Sequence, residues 1–271
     1  CWRKKKQGCI PMTTRAPLDA ASRIVVKVGS SSISGEREHQ VPGLVDALAA
    51  WRTAGTEVVL VSSGAIAIGA PFLKLTDRPQ DLATQQAAAA VGQNLLMSRY
   101  QELFSRHSII TGQVLLTVGD MENETHRTNA LRTMERLLGL GMVPIVNEND
   151  TVATQEIRFG DNDRLAALVS ELVSADLLVL LSDVDALYTH PPQDPRAKRL
   201  DVVAYGDDLA YVELGEAMVN SVGTGGAVTK VSAARMATAA GIPTLLAATD
   251  ALSDVVAGKT VGTWFDPQVL D

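Results

Sequence analysis

Short apolar runs recur between amphipathic stretches along most of this chain, and that alternation constrains its fold more than anything else. Ile24–Val28, Glu57–Val61, Val143–Val146 and Leu177–Leu181 are four such runs, rich in branched residues and bounded by turn formers. Between them, Val41, Leu44, Val45, Leu48 and Ala49 keep the spacing of one helix face, as do Leu165, Leu168, Val169, Leu172 and Val173. Further helices are expected at Ala65–Ile68, Asp81–Arg106, Asn129–Leu138 and Val228–Ala240. Further strands are expected at Ile109–Leu116 and Pro243–Ala247, a hairpin at Thr151–Phe159, and irregular chain at Pro191–Tyr205. Strands that are apolar on both faces and separated by helices make a mainly parallel sheet covered on both sides. Such sheets bind ligands outside the carboxyl ends of their strands.

Composition narrows the function classes. Of 271 residues 46% are hydrophobic and 20% charged, which is a globular balance. Residues 1–11 hold four of the 24 basic side chains and no acid; the remainder has 20 basic against 31 acidic residues, a net of −11. A body that acidic disfavours nucleic acid or an anionic membrane as partner, while leaving room for a local basic pocket. Both cysteines, Cys1 and Cys9, precede the folded body, so it has no disulfide framework and no cysteine nucleophile. That suits a reducing cytoplasm. Residues 1–22 read as a disordered N-terminal extension, with residues 1–11 either a tail or an upstream addition ahead of Met12. Residues 23–271 read as one domain.

Chemistry gathers where strands end. Lys27 interrupts an apolar strand just before Gly29, Ser30 and Ser31. A lysine beside exposed backbone amides suits a phosphate; it also fits a lysine reaching solvent from a strand end. Ser62, Ser63 and Gly64 follow the second strand, as an anion-binding helix start or a plain serine cap. The Gly-x-Ser-x-Gly elbow is absent. Asn147-Glu148-Asn149-Asp150 and Gly160-Asp161-Asn162-Asp163 place two amide-and-acid clusters within 17 residues. Carboxylates there would take an ammonium and amides a carboxylate; a buried aspartate could also hold two lysines in place, Asp161 and Asp163 could bind a metal, and Asp163 could equally cap the helix it precedes. Ser182 and Asp183 end another strand. Gly223-Thr224-Gly225-Gly226 opens the helix carrying Lys230, either as a phosphate cradle or as a flexible loop beside a surface lysine. Neither a Walker A loop nor a Gly-x-Gly-x-x-Gly after the first strand is present.

Taken in order, these runs resemble the amino acid kinase family over about residues 23–266. The resemblance is carried by Val26–Ser31, Val61–Ala67, Gln113–Thr117, Ile145–Thr154, Phe159–Asp163 and Gly223–Gly226 with Lys230. The Asn147–Asp150 run sets the chain apart from the acetylglutamate, carbamate and uridylate branches. The resemblance implies an eight-stranded, mostly parallel αβα sandwich. It implies transfer of the ATP γ-phosphoryl group to the side-chain carboxylate of L-glutamate, the first step of proline synthesis. Lys27 and Lys230 would stabilise the moving group, and Asp163 would orient both. Ser63, Asp150 and Asn162 would bind glutamate, with Asn147 and Asp161 close by. Gly29, Ser182, Asp183, Thr224, Gly225 and Gly226 would hold the nucleotide together with the two lysines. Mg2+ would bridge the ATP phosphates, with no protein metal site.

The family also implies proline feedback and assembly as dimers or tetramers. Three positions depart from its usual pattern: Ala227 for Met, Ala186 for Gly and Gln85 for Lys. Ending at Asp271, the sequence leaves no room for the C-terminal PUA domain that many bacterial members carry. A same-fold kinase with another small acceptor, and a non-catalytic sensor, are the competing expectations.

Overall fold

The computed structural model describes residues 21–74, 79, 81–152, 162–213 and 226–269. Strand β1 (Arg23–Lys27) lies inside the main sheet, between β2 (Glu57–Val61) and β5 (Leu177–Ser182). Beyond β2 lie β4 (Val143–Glu148) and the edge strand β3 (Thr111–Leu116). Beyond β5 lie β9 (Thr244–Ala248), β10 (Thr263–Phe265) and β8 (Val202–Val203). The order β3-β4-β2-β1-β5-β9-β10-β8 makes an eight-stranded sheet. Its pairings are parallel except β9 with β10. A small antiparallel pair, β6 (Leu187–Tyr188) with β7 (Arg199–Leu200), stands apart.

Alternate residues of each central strand bury into opposite layers, as a strand's twofold side-chain alternation requires. Val25, Val59 and Leu178 pack with α6 (Glu124–Gly139), α7 (Asn162–Leu172) and α8 (Ala227–Ala239). Ile24, Val58 and Val179 pack with α2 (Val41–Thr53), α4 (Leu82–Ser105) and α9 (Leu252–Val256). Both faces are therefore dry, and the three-layer, mostly parallel αβα architecture expected from the sequence is present.

The structure differs from the sequence reading in a few places. Helix α6 starts at Glu124, where Asn123 caps it by accepting from the His126 amide, rather than at Asn129. The 191–205 segment is not wholly irregular: it contains β7, and β8, which closes the sheet edge. Two-residue strands carry no periodicity to read. Thr151 and Val152 form part of a 3-10 turn, Asp150–Val152. The rest of the expected hairpin lies outside the described residues.

Three short helices follow strand ends: α1 (Ser30–Ile33) after β1, α3 (Ala65–Gly69) after β2 and α5 (Val118–Glu122) after β3. Helices α3 and α4 cross in backbone contact. A Cβ on Gly92 would fall 1.7 Å from the Ala65 carbonyl oxygen, and one on Gly69 1.9 Å from that of Ala88. Only glycine at both positions allows that approach, and it fixes where α3, and the turn before it, sits.

Candidate active site

Strand register brings the interesting ends together. Lys27 is opposite Val61 on one side and Leu180 on the other, and Val61 is opposite Val146. The carboxyl ends of β1, β2, β4 and β5 therefore form one rim, where a parallel sheet presents its ligands. Lys27 does not reach solvent there; it is 3% exposed. Its ammonium lies 2.7 Å from Asp163 Oδ1, and the Lys230 ammonium lies 3.3 Å from Asp163 Oδ2. Asp163 is 1% exposed and sits in the first turn of α7, facing the lysines. Thr229 donates its hydroxyl to Asp163 Oδ2 at 2.7 Å.

Two buried cations thus share one carboxylate. Burial works against the Asp163 charge, but the Lys27 and Lys230 ammonium groups and the Thr229 hydroxyl overcome it and hold its pKa at about 2. Lys230 is pushed below the ordinary lysine value by burial first and by repulsion from Lys27 second; Asp163 and Asp183 oppose this. The cluster keeps a net positive charge away from water, where it acts on an incoming anion with little screening.

The acceptor-side candidates lie beside it. Asn162 is 3% exposed, and its Oδ1 has no hydrogen-bond partner among the described residues. A buried acceptor left open is costly unless a ligand donor meets it. Ser63 is buried in the turn between β2 and α3, where Gly64 takes a left-handed φ of 94° to start the helix. Asp150 is half-buried in the 3-10 turn after β4. Asn147 is buried, and its amide is engaged on both sides: Nδ2 donates to Gln93 and Oδ1 accepts from the Glu148 amide. Asp161 lies outside the described residues.

On the opposite side, Gly29 caps α1. A Cβ there would lie 3.6 Å from the Lys27 ammonium, so glycine keeps the backbone beside that charge open to a ligand. Ser182 ends β5 and accepts a hydrogen bond from the Val184 amide on its hydroxyl. Asp183 is exposed and pairs with Arg37 at 3.2 Å. Gly226 caps α8, and its carbonyl oxygen accepts from the Lys230 amide. Thr224 and Gly225 lie outside the described residues. Among the described residues no group of three or more His, Cys, Asp or Glu is arranged to hold a metal ion. Two buried lysines beside glycine-bearing turns at a strand end and a helix start fit a polyphosphate, and a divalent ion arriving with it.

Four neighbours of the site were not singled out from the sequence. Thr229 is adjacent to Lys230 and was readable as part of the same helix turn. Arg37 reaches Asp183 only through tertiary structure. Gln93 and Tyr100 are polar groups on the buried face of α4, among Ala88, Ala89 and Leu96, and that misplacement was a readable signal.

The family model described as "Amino acid kinase family" matches residues 22–248. The chain belongs to the amino acid kinase family. It is 64% identical over 255 residues to a protein named glutamate 5-kinase from Clavibacter sepedonicus, covering 94% of this chain and 98% of that one. It is also 64% identical over 253 residues to a glutamate 5-kinase from Leifsonia xyli subsp. xyli, covering 93% and 94%. Among solved structures, carbamate kinase from Giardia lamblia bound to AMP-PNP superposes with a TM-score of 0.66. At 16% identity over 92% of this chain and 100% of that one, it shares the fold.

Proposed function

We propose that this protein transfers the γ-phosphoryl group of ATP to the side-chain carboxylate of L-glutamate, forming glutamyl 5-phosphate and ADP, the first step of proline biosynthesis. The observation that carries the reading is the pair of buried ammonium groups sharing Asp163. Relatives named glutamate 5-kinase at 64% identity support the choice of acceptor.

The glutamate carboxylate has an ordinary pKa of about 4.3, so at neutral pH it is already a nucleophile and needs no general base. A carboxylate oxygen forms a bond to the γ-phosphorus as the bond from that phosphorus to the β,γ-bridging oxygen breaks, and the electron pair leaves with ADP. Two anions, the carboxylate and the ATP polyphosphate, must approach one another, so positioning and charge neutralisation are the catalytic tasks. Lys27 and Lys230 meet the equatorial and leaving oxygens of the phosphoryl group. Asp163 is a positioning residue: it holds both ammonium groups with less negative charge than would neutralise them. Thr229 fixes its second oxygen.

Ser63, Asn162 and Asp150 line the acceptor side, with Asn147 and Asp161 beside them. Gly29, Ser182, Asp183 and the Thr224–Gly226 turn line the nucleotide side. Mg2+, carried on the ATP phosphates, supplies further charge neutralisation when bound. The same reading takes residues 23–271 as one kinase domain, working in the cytoplasm as a dimer or tetramer, with proline as feedback inhibitor.

The test is trapping of the acyl phosphate with hydroxylamine in the presence of L-glutamate, ATP and Mg2+, with Lys27→Ala alongside. Hydroxamate from the wild type and a loss on the order of 10²-fold in the variant is the expected result. ATP binding without hydroxamate from glutamate would overturn the choice of acceptor.

A further inference from the structure

Helix α4 lies behind the site, yet it touches the acceptor side at four points. Tyr100 is fully buried and its hydroxyl is 3.0 Å from that of Ser62, which precedes Ser63. Gly92 seats α3 against the backbone, as described above. The helix also packs on the turn Asp150–Val152. Between these, Gln93 is 8% exposed and reaches Asn147.

The direction of that last contact follows from one backbone group. The Glu148 N–H donates to Asn147 Oδ1 at 2.9 Å, and a peptide N–H can only donate. The Asn147 oxygen is therefore fixed on that side, and its Nδ2 faces Gln93. Gln93 must present Oε1 to it, at 2.8 Å, which leaves Nε2 to donate to Gln113 Oε1 at 3.2 Å. A chain of three amides thus runs from the exposed side chain of Gln113 on edge strand β3 to the buried end of β4. That strand end is tied to its neighbours by Ser62 N–H to the Val146 carbonyl and Asn149 N–H to the Leu116 carbonyl. None of these contacts involves the nucleotide side.

We infer that Gln93 is a positioning residue for the acceptor half of the site, holding the Asn147–Asp150 strand end in register through Asn147. The inference rests on the glutamate reading above. Replacing Gln93 with leucine leaves Asn147 Nδ2 buried without its acceptor, so the amide must turn and the following residues move with it. Gln93→Glu keeps an acceptor for Asn147. Gln113, whose amide can turn over, then donates to the second carboxylate oxygen.

The experiment measures steady-state KM for glutamate and for ATP in the wild type, Gln93→Leu, Gln93→Glu and Gln113→Leu, with glutamate binding followed by calorimetry. Gln93→Leu is expected to raise the glutamate KM and Kd about tenfold while ATP KM stays within about twofold; Gln93→Glu returns most of the loss. Equal rises in both KM values, an unchanged glutamate KM in Gln93→Leu, or a glutamate variant as impaired as the leucine variant would each overturn it. Should Gln93→Leu fail to fold, Gln113→Leu carries the test with a rise of about two- to threefold in glutamate KM alone, and an unchanged value there overturns the inference. A wild type that forms no acyl phosphate overturns the glutamate reading itself, whereas wild-type kinetics in Gln93→Leu overturn only the role of Gln93.

Discussion

The two ends of strand β1 each carry a cation, and their partners come in opposite ratios. At the amino end, Arg23 is clasped by two carboxylates, Glu57 at 2.7 Å and Glu135 at 2.6 Å, and also donates to the Val173 carbonyl. At the carboxyl end, Lys27 and Lys230 both pair with the one carboxylate of Asp163. The first arrangement leaves no positive charge to offer, is half open to water, and joins β1 to β2, α6 and the end of α7. The second is dry and short of negative charge. A fold optimised only for stability would not bury two ammonium groups around one carboxylate. The excess charge makes sense as something reserved for an anion, and the contrast separates what holds the sheet from what works at its rim.

The comparison is broken most severely at its shared carboxylate. Asp163→Asn leaves two buried ammonium groups facing each other without an anion, and breaking such a cluster costs about 3–5 kcal/mol. Denaturant titration of the variant should show that loss, together with near-complete loss of hydroxamate formation. Stability within about 1 kcal/mol of wild type would mean that Asp163 does not hold the cluster.

Lys230→Met has the opposite signature. Asp163 keeps Lys27 as a one-to-one partner, and the repulsion that depresses the Lys230 pKa disappears. We expect kcat to fall on the order of 10²-fold or more while the melting temperature holds or rises, the usual mark of a residue kept for activity at the expense of stability. A melting temperature lowered by several degrees with kcat retained would reverse the assignment and make Lys230 a structural group. At the other end of β1, Arg23→Ala should cost about 1–2 kcal/mol by loss of charge-assisted hydrogen bonds, and that loss should shrink in high salt. Its KM and kcat values should remain those of the wild type; altered kinetics would erase the division of labour between the two ends.

Only the carboxyl-end side of this contrast was legible in the sequence. Lys27 stands out because a lysine inside an apolar strand needs a reason, and Gly29 and Gly226 mark turns at a strand end and a helix start. The family resemblance already implies that one aspartate orients both lysines; what the residues alone leave open is whether this aspartate does so. Asp163 reads equally well as a helix cap, and only the packing of α7 and α8 against the sheet brings it between two lysines far apart in the chain. Gln93 shows the same limit in another form: its burial is visible in the spacing of α4, but its partners come from β3 and β4. The edge strand β8 is two residues long, so its place is decided by the β10 it pairs with rather than by any local pattern.

The smallest effect gives the sharpest electrostatic test. Because burial and Lys27 lower the Lys230 pKa, the alkaline limb of kcat/KM, which reports the free enzyme, should begin below the ordinary lysine value of 10.5. Activity falls there because a neutral Lys230 no longer stabilises the phosphoryl group. Lys230→Arg cannot lose its proton in this range, so whatever its kcat, the limb should move upward; a limb that stays in place belongs to another group. On the acid side Asp163 is held at about 2, so the fall in rate near pH 4 should follow the glutamate carboxylate instead. Stability separates the two groups again. The Asp163 contribution is complete above its unfolded value of 3.8 and is lost as the pH falls toward about 2. The penalty at Lys230 is complete at neutral pH and eases as the pH rises through its lowered pKa. Denaturation midpoints measured from pH 2 to 10 should therefore drop steeply at the acid end in the wild type, and less so in Asp163→Asn, which has no carboxylate there to protonate.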